Sequence, residues 1–377
     1  MSREPCRGSF AYANPPVIHW GPGCLAEHLD GELRRLNARR VFLVTTRSVA
    51  ANPRLGGALA ARLGDRCVGQ YAAIGQHAPA HAVAEAVAAA RDARADALVS
   101  FGGGSPIDAA KAVAFALATG LDLEDPRAPE KARDLAASAP PMLPHLAIPT
   151  TLSAAELSAL AGFTTEAERE KAGLRGAGML PAGVIYDAEL SLPTPLDLWL
   201  STGIRAVDHA VETLLSGRSQ PFSDTLSLEA LRRLDRGLLA TRKDPNDLAA
   251  RTESQIGAWL SFTLPGVAAG GLCHTLGKRI GSTHAIPHGI TSCLLLPHVM
   301  RYLAPRTAEA QARIAEALGA PDKPAAEAVA ELIGALDQPR HLAAYGLTDA
   351  DLEAAARPVA SDEFPLDDLV AIYRAAW

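Results

Sequence analysis

Two stretches hold most of the side chains that could do chemistry. GLCHTLGKRIGSTHAIPHG, residues 271–289, sets His274, His284 and His288 around Lys278 and Arg279. STGIRAVDHAVETLLS, residues 201–216, sets Arg205 four residues before His209, and Asp208 four before Glu212. On a helix that spacing puts each pair on one face about a turn apart, and His274 and Lys278 share it. Pro287 ends or bends the chain, so His288 starts a further element. His209, His274 and His288 therefore come from separate elements and could converge as a three-histidine metal site. His284, His298 and His341 are read as structural. Arg205 and Lys278 sit oddly in such a site, because cations repel a metal ion.

A second kind of chemistry is written in FGGGSPIDAAK, residues 101–111. Gly102, Gly103 and Gly104 allow a sharp turn and close approach of a ligand to the backbone. Ser105 reads as the N-cap of a helix, Pro106 as its first residue and Asp108 as a capping-box partner. Free N–H groups beside glycines suit a pyrophosphate, although a well-capped strand–helix turn explains the same residues. The run is not the GxGxxG fingerprint of an ordinary dinucleotide fold. In AIPTTLSAAELS (147–158), hydroxyls and N–H groups could hold a ribose or a carboxamide, or Thr150, Thr151 and Ser153 could cap the next helix. REKAGLRGAGMLPAGVIYD (169–187) reads as a basic, glycine-rich surface loop entering a strand.

The elements that must position these groups fall into two kinds. Strands are expected over 17–20, 39–46, 66–74, 96–101, 145–150, 159–164 and 183–187, with helices such as 25–37 and 79–95 between them. That alternation predicts a mostly parallel sheet covered on both faces. Beyond SLPTP (191–195) strand signals vanish. Helices are expected over 197–216, 223–241, 246–263, 266–281, 289–303, 306–318, 323–336, 349–357 and 366–377. The expected domains are therefore an α/β nucleotide-binding one, 1–193, and an all-helical one, 194–377, with the active site in the cleft between them.

Bulk composition narrows the class. The 377 residues exceed the usual single-domain size, 48% are apolar and the net charge is only −6, with no long basic run. A nucleic-acid partner is not expected. No apolar run spans a bilayer, and the N-terminus lacks the core of a signal peptide. Cys6, Cys24, Cys67, Cys273 and Cys293 are odd in number and show no CxxC, which argues for a reducing compartment. A cytoplasmic protein without a membrane partner is expected.

Taken in order, FGGGSPIDAAK, AIPTTLSAAELS with Glu156, VIYDAELSLPTP, GIRAVDHAVE and the IPHG turn resemble the iron-containing alcohol dehydrogenase superfamily, and within it the maleylacetate reductase branch. The resemblance spans roughly residues 15–305. It implies a two-domain, dehydroquinate-synthase-like fold, NAD(H) or NADP(H) as cofactor, and reduction of an oxo acid, maleylacetate to 3-oxoadipate, in aromatic catabolism. It implies that Gly102, Gly103, Gly104, Ser105 and Asp108 serve the pyrophosphate end and Thr150, Thr151 and Glu156 the nicotinamide half. Arg205, His209, His274, Lys278 and His288 would then serve substrate and proton. A homodimer is expected.

The chain departs from the metal-dependent pattern at two positions. His209, His274 and His288 match three ligand histidines, but Arg205 stands at the aspartate ligand and Lys278 at a further histidine. A metal-free site follows, with Arg205 holding a carboxylate in its fork and Lys278 stabilising the developing oxyanion. If Arg205 instead turns to Asp208 on its own helix, the histidines are left for zinc or iron. The alternatives are thus a metal-dependent alcohol dehydrogenase and, from another class, a dehydroquinate-synthase-like lyase. The end of RRVFLVTTRS carries no acid to repel a 2′-phosphate, so NADP is allowed.

Overall fold

The computed structural model describes residues 13–164, 171–217, 220–262 and 271–377. Cys6 and most of the N-terminal stretch, residues 169–170 of the basic loop and the start of the helix expected over 266–281 lie outside the described residues.

Eight strands are described: β1 (Ile18–Trp20), β2 (Val41–Thr45), β3 (Cys67–Tyr71), β4 (Ala97–Gly102), β5 (His145–Pro149), β6 (Leu160–Thr164), β7 (Lys171–Arg175) and β8 (Gly183–Tyr186). Six form a parallel sheet in the order β1-β8-β5-β4-β2-β3. Every residue of β2, β4, β5 and β8 is buried, as a sheet covered on both faces requires. The helices of this half are α1 (Cys24–Arg35), α2 (Arg47–Ala51), α3 (Ala58–Leu63), α4 (Ala80–Asp92), α5 (Gly104–Thr119), α6 (Ala128–Ala136) and α7 (Ala188–Ser191).

β6 corrects the expectation of one sheet. It pairs antiparallel with β7, apart from the six parallel strands. Its burial alternates along the strand, with Ala161 and Phe163 inward, and a one-sided strand suits a ribbon better than a sheet core. The basic loop expected before β8 supplies β7.

The second half is helical: α8 (Leu196–Leu215), α9 (Pro221–Lys243), α10 (Leu248–Ser261), α11 (Leu272–Thr283), α12 (His288–Ala317), α13 (Ala325–Ala335), α14 (Asp349–Ala356) and α15 (Leu366–Ala375). α8 runs through its core, buried from Trp199 to Leu214 except at Thr202. The two helices expected over 289–303 and 306–318 are one element, α12, kinked at Thr307. Pro305 removes an N–H from the ladder, and Gln311 Nε2 bridges the break by donating to Met300 O (2.7 Å) and Thr307 Oγ1 (3.1 Å). Among the described residues no helix is long and apolar enough to cross a membrane.

Candidate active site

The strand order reverses direction between β2 and β4, because β3 lies outside β2 while β4, β5 and β8 follow on the other side. Ligands of open parallel sheets bind at the carboxyl ends of strands beside such a reversal. A cavity of about 600 Å³ opens there, lined by Thr46 and Ser48 after β2, Gly103 and Gly104 after β4, and Thr150 and Thr151 after β5. A neighbouring cavity of about 560 Å³ shares Gly104, Ser105, Ser153 and Pro287 with it, so the two form one cleft.

The glycine turn is built differently from the expected capped start. Gly103, not Ser105, is the N-cap of α5, and no side chain caps it. Ser105 lies in the first turn, where its Oγ accepts from the His77 N–H (3.2 Å). Asp108 is no capping-box partner and lines the second cavity, not the first. Its carboxylate accepts from the Gly162 N–H (3.1 Å) and lies 3.5 Å from the Lys111 ammonium, because buried Lys111 draws it inward. The first N–H groups of α5 are thereby left without a side-chain acceptor beside the cavity, which fits an anion.

Each glycine has its own reason. Gly102 has φ +138°, a conformation other residues rarely adopt, and it lines neither cavity. A Cβ on Gly103 would lie 3.2 Å from Thr151 Cγ2, and one on Gly104 3.0 Å from Ser153 Oγ. Glu156 is a further correction. It is fully buried, lines neither cavity and accepts from the Tyr186 hydroxyl (2.6 Å). Burial, partly offset by that hydroxyl, pushes its carboxyl above the usual range. It braces β8 against the loop after β5.

The second cavity gathers Arg205 and His209 from α8, His274 and Lys278 from α11, and His288 from α12. Arg205, expected to reach out as a carboxylate fork, commits Nη1 to Asp208 Oδ2 (2.7 Å) and Ser292 Oγ (3.0 Å). Ser292 in turn donates to the same Asp208 oxygen (2.7 Å). The pair is buried, so the carboxylate of Asp208 needs this neutralisation. Among the described residues, Nε and Nη2 of Arg205 bond no protein group, which leaves one edge of the guanidinium toward the cavity.

His209 packs edge-on against Phe262, with ring centroids 4.9 Å apart. Burial first, then the Arg205 charge, holds its imidazole well below the ordinary range, so it is neutral. The three histidines line one cavity, but they do not form a compact ligand set. Among the described residues, the metal-type side chains whose ligand atoms lie within 4.8 Å of one another are Asp208, Glu212 and Cys273.

Cleft residues that the sequence reading did not single out include His77 and Arg175. His77 reaches across from the sheet half to His288, ring centroids 5.2 Å apart, from a backbone at φ +61°. Arg175, at the end of β7, lines the same cavity. The basic character of the 169–187 stretch was the one signal for Arg175, and a left-handed backbone at His77 leaves none.

A sequence profile described as iron-containing alcohol dehydrogenase matches residues 15–188, and one for the C-terminal part of that family matches 199–376. The maleylacetate reductase of Burkholderia cepacia is 30% identical over 353 residues, 94% of this chain and 91% of that protein. That of Rhizobium sp. strain MTP-10005 is 31% identical over 348 residues, 92% and 90% of the two chains. The crystal structure of maleylacetate reductase from Agrobacterium tumefaciens superposes with a TM-score of 0.82 at 29% identity, covering 98% of this chain and 99% of that one.

Proposed function

Because the chain belongs to the iron-containing alcohol dehydrogenase family, we propose that it reduces an oxo acid with NAD(P)H, as a maleylacetate reductase forming 3-oxoadipate in aromatic catabolism. The observation that carries this reading is the charge of the second cavity. Arg175 and Lys278 line it beside the open edge of Arg205, whose charge is shared with Asp208, and the acid in the same lining, Asp108, is engaged by Lys111 and Gly162. An anionic substrate is attracted to such a lining and an uncharged alcohol gains nothing from it.

The uncapped start of α5 and the threonines after β5 would hold the cofactor, its pyrophosphate on the helix N-terminus. A nicotinamide bound there supplies the hydride. As the carbonyl oxygen gains negative charge, Lys278 and the open edge of Arg205 stabilise it at close range. His274 or His288, which line the same cavity, would supply the proton. No acid in the stretch Thr46–Ser48 after β2 repels a 2′-phosphate, so NADPH is allowed beside NADH but not required.

The residues do not fit a divalent metal. Arg205 does turn to Asp208, as the metal-dependent alternative requires, but it leaves no anionic ligand beside the three histidines, which form no compact ligand set among the described residues, and Lys278 lines the same cavity. In the Asp208–Glu212–Cys273 group, Asp208 Oδ2 is held by Arg205 and Ser292, and the guanidinium bonded to it opposes a second cation beside it. A cytoplasmic homodimer belongs to the same proposal, and light scattering of the purified protein tests the dimer. Oxidation of NADH and NADPH is to be followed with maleylacetate and with an uncharged ketone, before and after chelation, alongside metal analysis. Turnover of the acid alone, surviving chelation at well under one equivalent of metal, is expected. Stoichiometric metal, with activity lost on its removal and restored on its return, would overturn the metal-free reading.

A further inference from the structure

α11 carries two of the cleft side chains, His274 and Lys278, yet it starts without a cap of its own. Its N-cap is Gly271, which has no side chain to accept from the first turn. The acceptor comes from another helix. Glu212, on α8, takes the His274 N–H on Oε1 at 3.0 Å. Glu212 is 5% exposed, and its carboxyl fills the space a side chain at 271 would need. A Cβ there would lie 2.1 Å from Glu212 Cδ and 2.2 and 2.4 Å from its two oxygens. Gly271 has φ −66°, which any residue adopts, so contact with Glu212 is what demands glycine.

The two ends of this contact both lead to the cleft. Glu212 lies three residues beyond His209 on α8, and His274 holds the contact with its own N–H while its ring lines the cavity. We propose that Glu212 is a positioning residue, a cap supplied by α8 that sets where α11 begins and thereby where His274 and Lys278 stand. Without it the first N–H groups of α11 would be buried without an acceptor, and the helix would shift or fray to find one. Burial first, then the neighbouring Asp208, pushes the Glu212 carboxyl well above its ordinary range, and glutamine keeps both its shape and an accepting oxygen.

The consequence for turnover rests on the oxo-acid reading, but the cap itself can be measured without substrate. Hydrogen–deuterium exchange of residues 272–276 in the full chain is the direct readout, with kcat and cofactor affinity measured beside it. Glu212→Ala is expected to speed exchange there at least tenfold and to lower kcat at least tenfold. Cofactor Kd should stay within twofold, because the glycine turn lies in the other half. Glu212→Gln should keep both exchange and kcat within about threefold of wild type. Gly271→Ala should resemble Glu212→Ala, and the double variant should be no worse than either single one, since the clash disappears with the carboxyl. Unchanged exchange in Glu212→Ala, a glutamine variant as impaired as the alanine one, or additive losses in the double variant would each overturn the proposal. Should the wild-type protein reduce no oxo acid, the functional reading falls while the exchange measurements still decide the cap.

Discussion

At the scale of single residues, the cleft separates side chains that bind from those that only support. A Cβ on Gly103 would lie 3.2 Å from the Thr151 side chain beside the first cavity, so a larger side chain there crowds the proposed cofactor site. Gly103→Val is expected to weaken NAD(P)H binding more than tenfold with little change in melting temperature. Calorimetric titration checks this, and undiminished affinity in a folded variant would reduce the run to a structural turn. The two arginines should behave differently. Arg205→Ala strands the buried Asp208 carboxylate and is expected to cost about 3–5 kcal/mol of stability, seen in a denaturant titration. Arg175 is exposed and makes no ion pair among the described residues, so Arg175→Gln tests charge reading without that penalty. Its KM for a dicarboxylic oxo acid should rise roughly tenfold, with no change for an uncharged ketone. Equal effects on both substrates would remove Arg175 from recognition.

Among the elements, α8 is the organiser: one helix bonds Ser292 of α12, caps α11 and presents Arg205 and His209. Close approach between α8 and α12 depends on Gly289. A Cβ there would lie 2.7 Å from Ser201 O, and the neighbouring residue is His288. Gly289→Ala must lift the first turn of α12 off α8. A displacement near 1 Å at a reacting group costs on the order of a hundredfold, so kcat/KM should fall between tenfold and a hundredfold while cofactor affinity persists. Steady-state kinetics paired with cofactor titration decide it, and full activity would mean that the helix start relaxes without moving His288.

For the molecule as a whole, acid stability follows from histidines folded away neutral. His145, on β5, is 3% exposed and bonds Ser100 Oγ at 2.7 Å. Burial, with a smaller contribution from Lys111, lowers its pKa to about 3. Above pH 6.5 the imidazole is neutral in both folded and unfolded chains and contributes nothing to pH dependence. Below that, the unfolded chain takes up a proton that the fold refuses, so stability falls as pH drops toward 3, by about 1.4 kcal/mol per unit. Between pH 6.5 and 5 the loss is about 2 kcal/mol from this residue. His145→Gln should therefore melt with a shallower pH profile than wild type over that range. Parallel profiles would mean that the buried imidazole relaxes or takes up its proton in the folded state.

What the sequence determined by itself was local and periodic. Buried strands alternating with helices specified a parallel sheet, three glycines after a strand specified a tight turn into a helix, and a spacing of four placed Arg205 with His209 and His274 with Lys278. Tertiary structure decided which neighbour each polar group chose. Arg205 took Asp208 from its own helix and Ser292 from α12, Glu156 went into the core with Tyr186, and Glu212 became the cap of a helix 60 residues further on. It also brought His77 and Arg175 to the cleft from the sheet half. Spacing along a helix fixes which side chains share a face, because that geometry belongs to the chain. Partner choice depends on how closely two elements pack and on the penalty for burying a charge or an N–H without a partner, and those distances have no trace in one dimension.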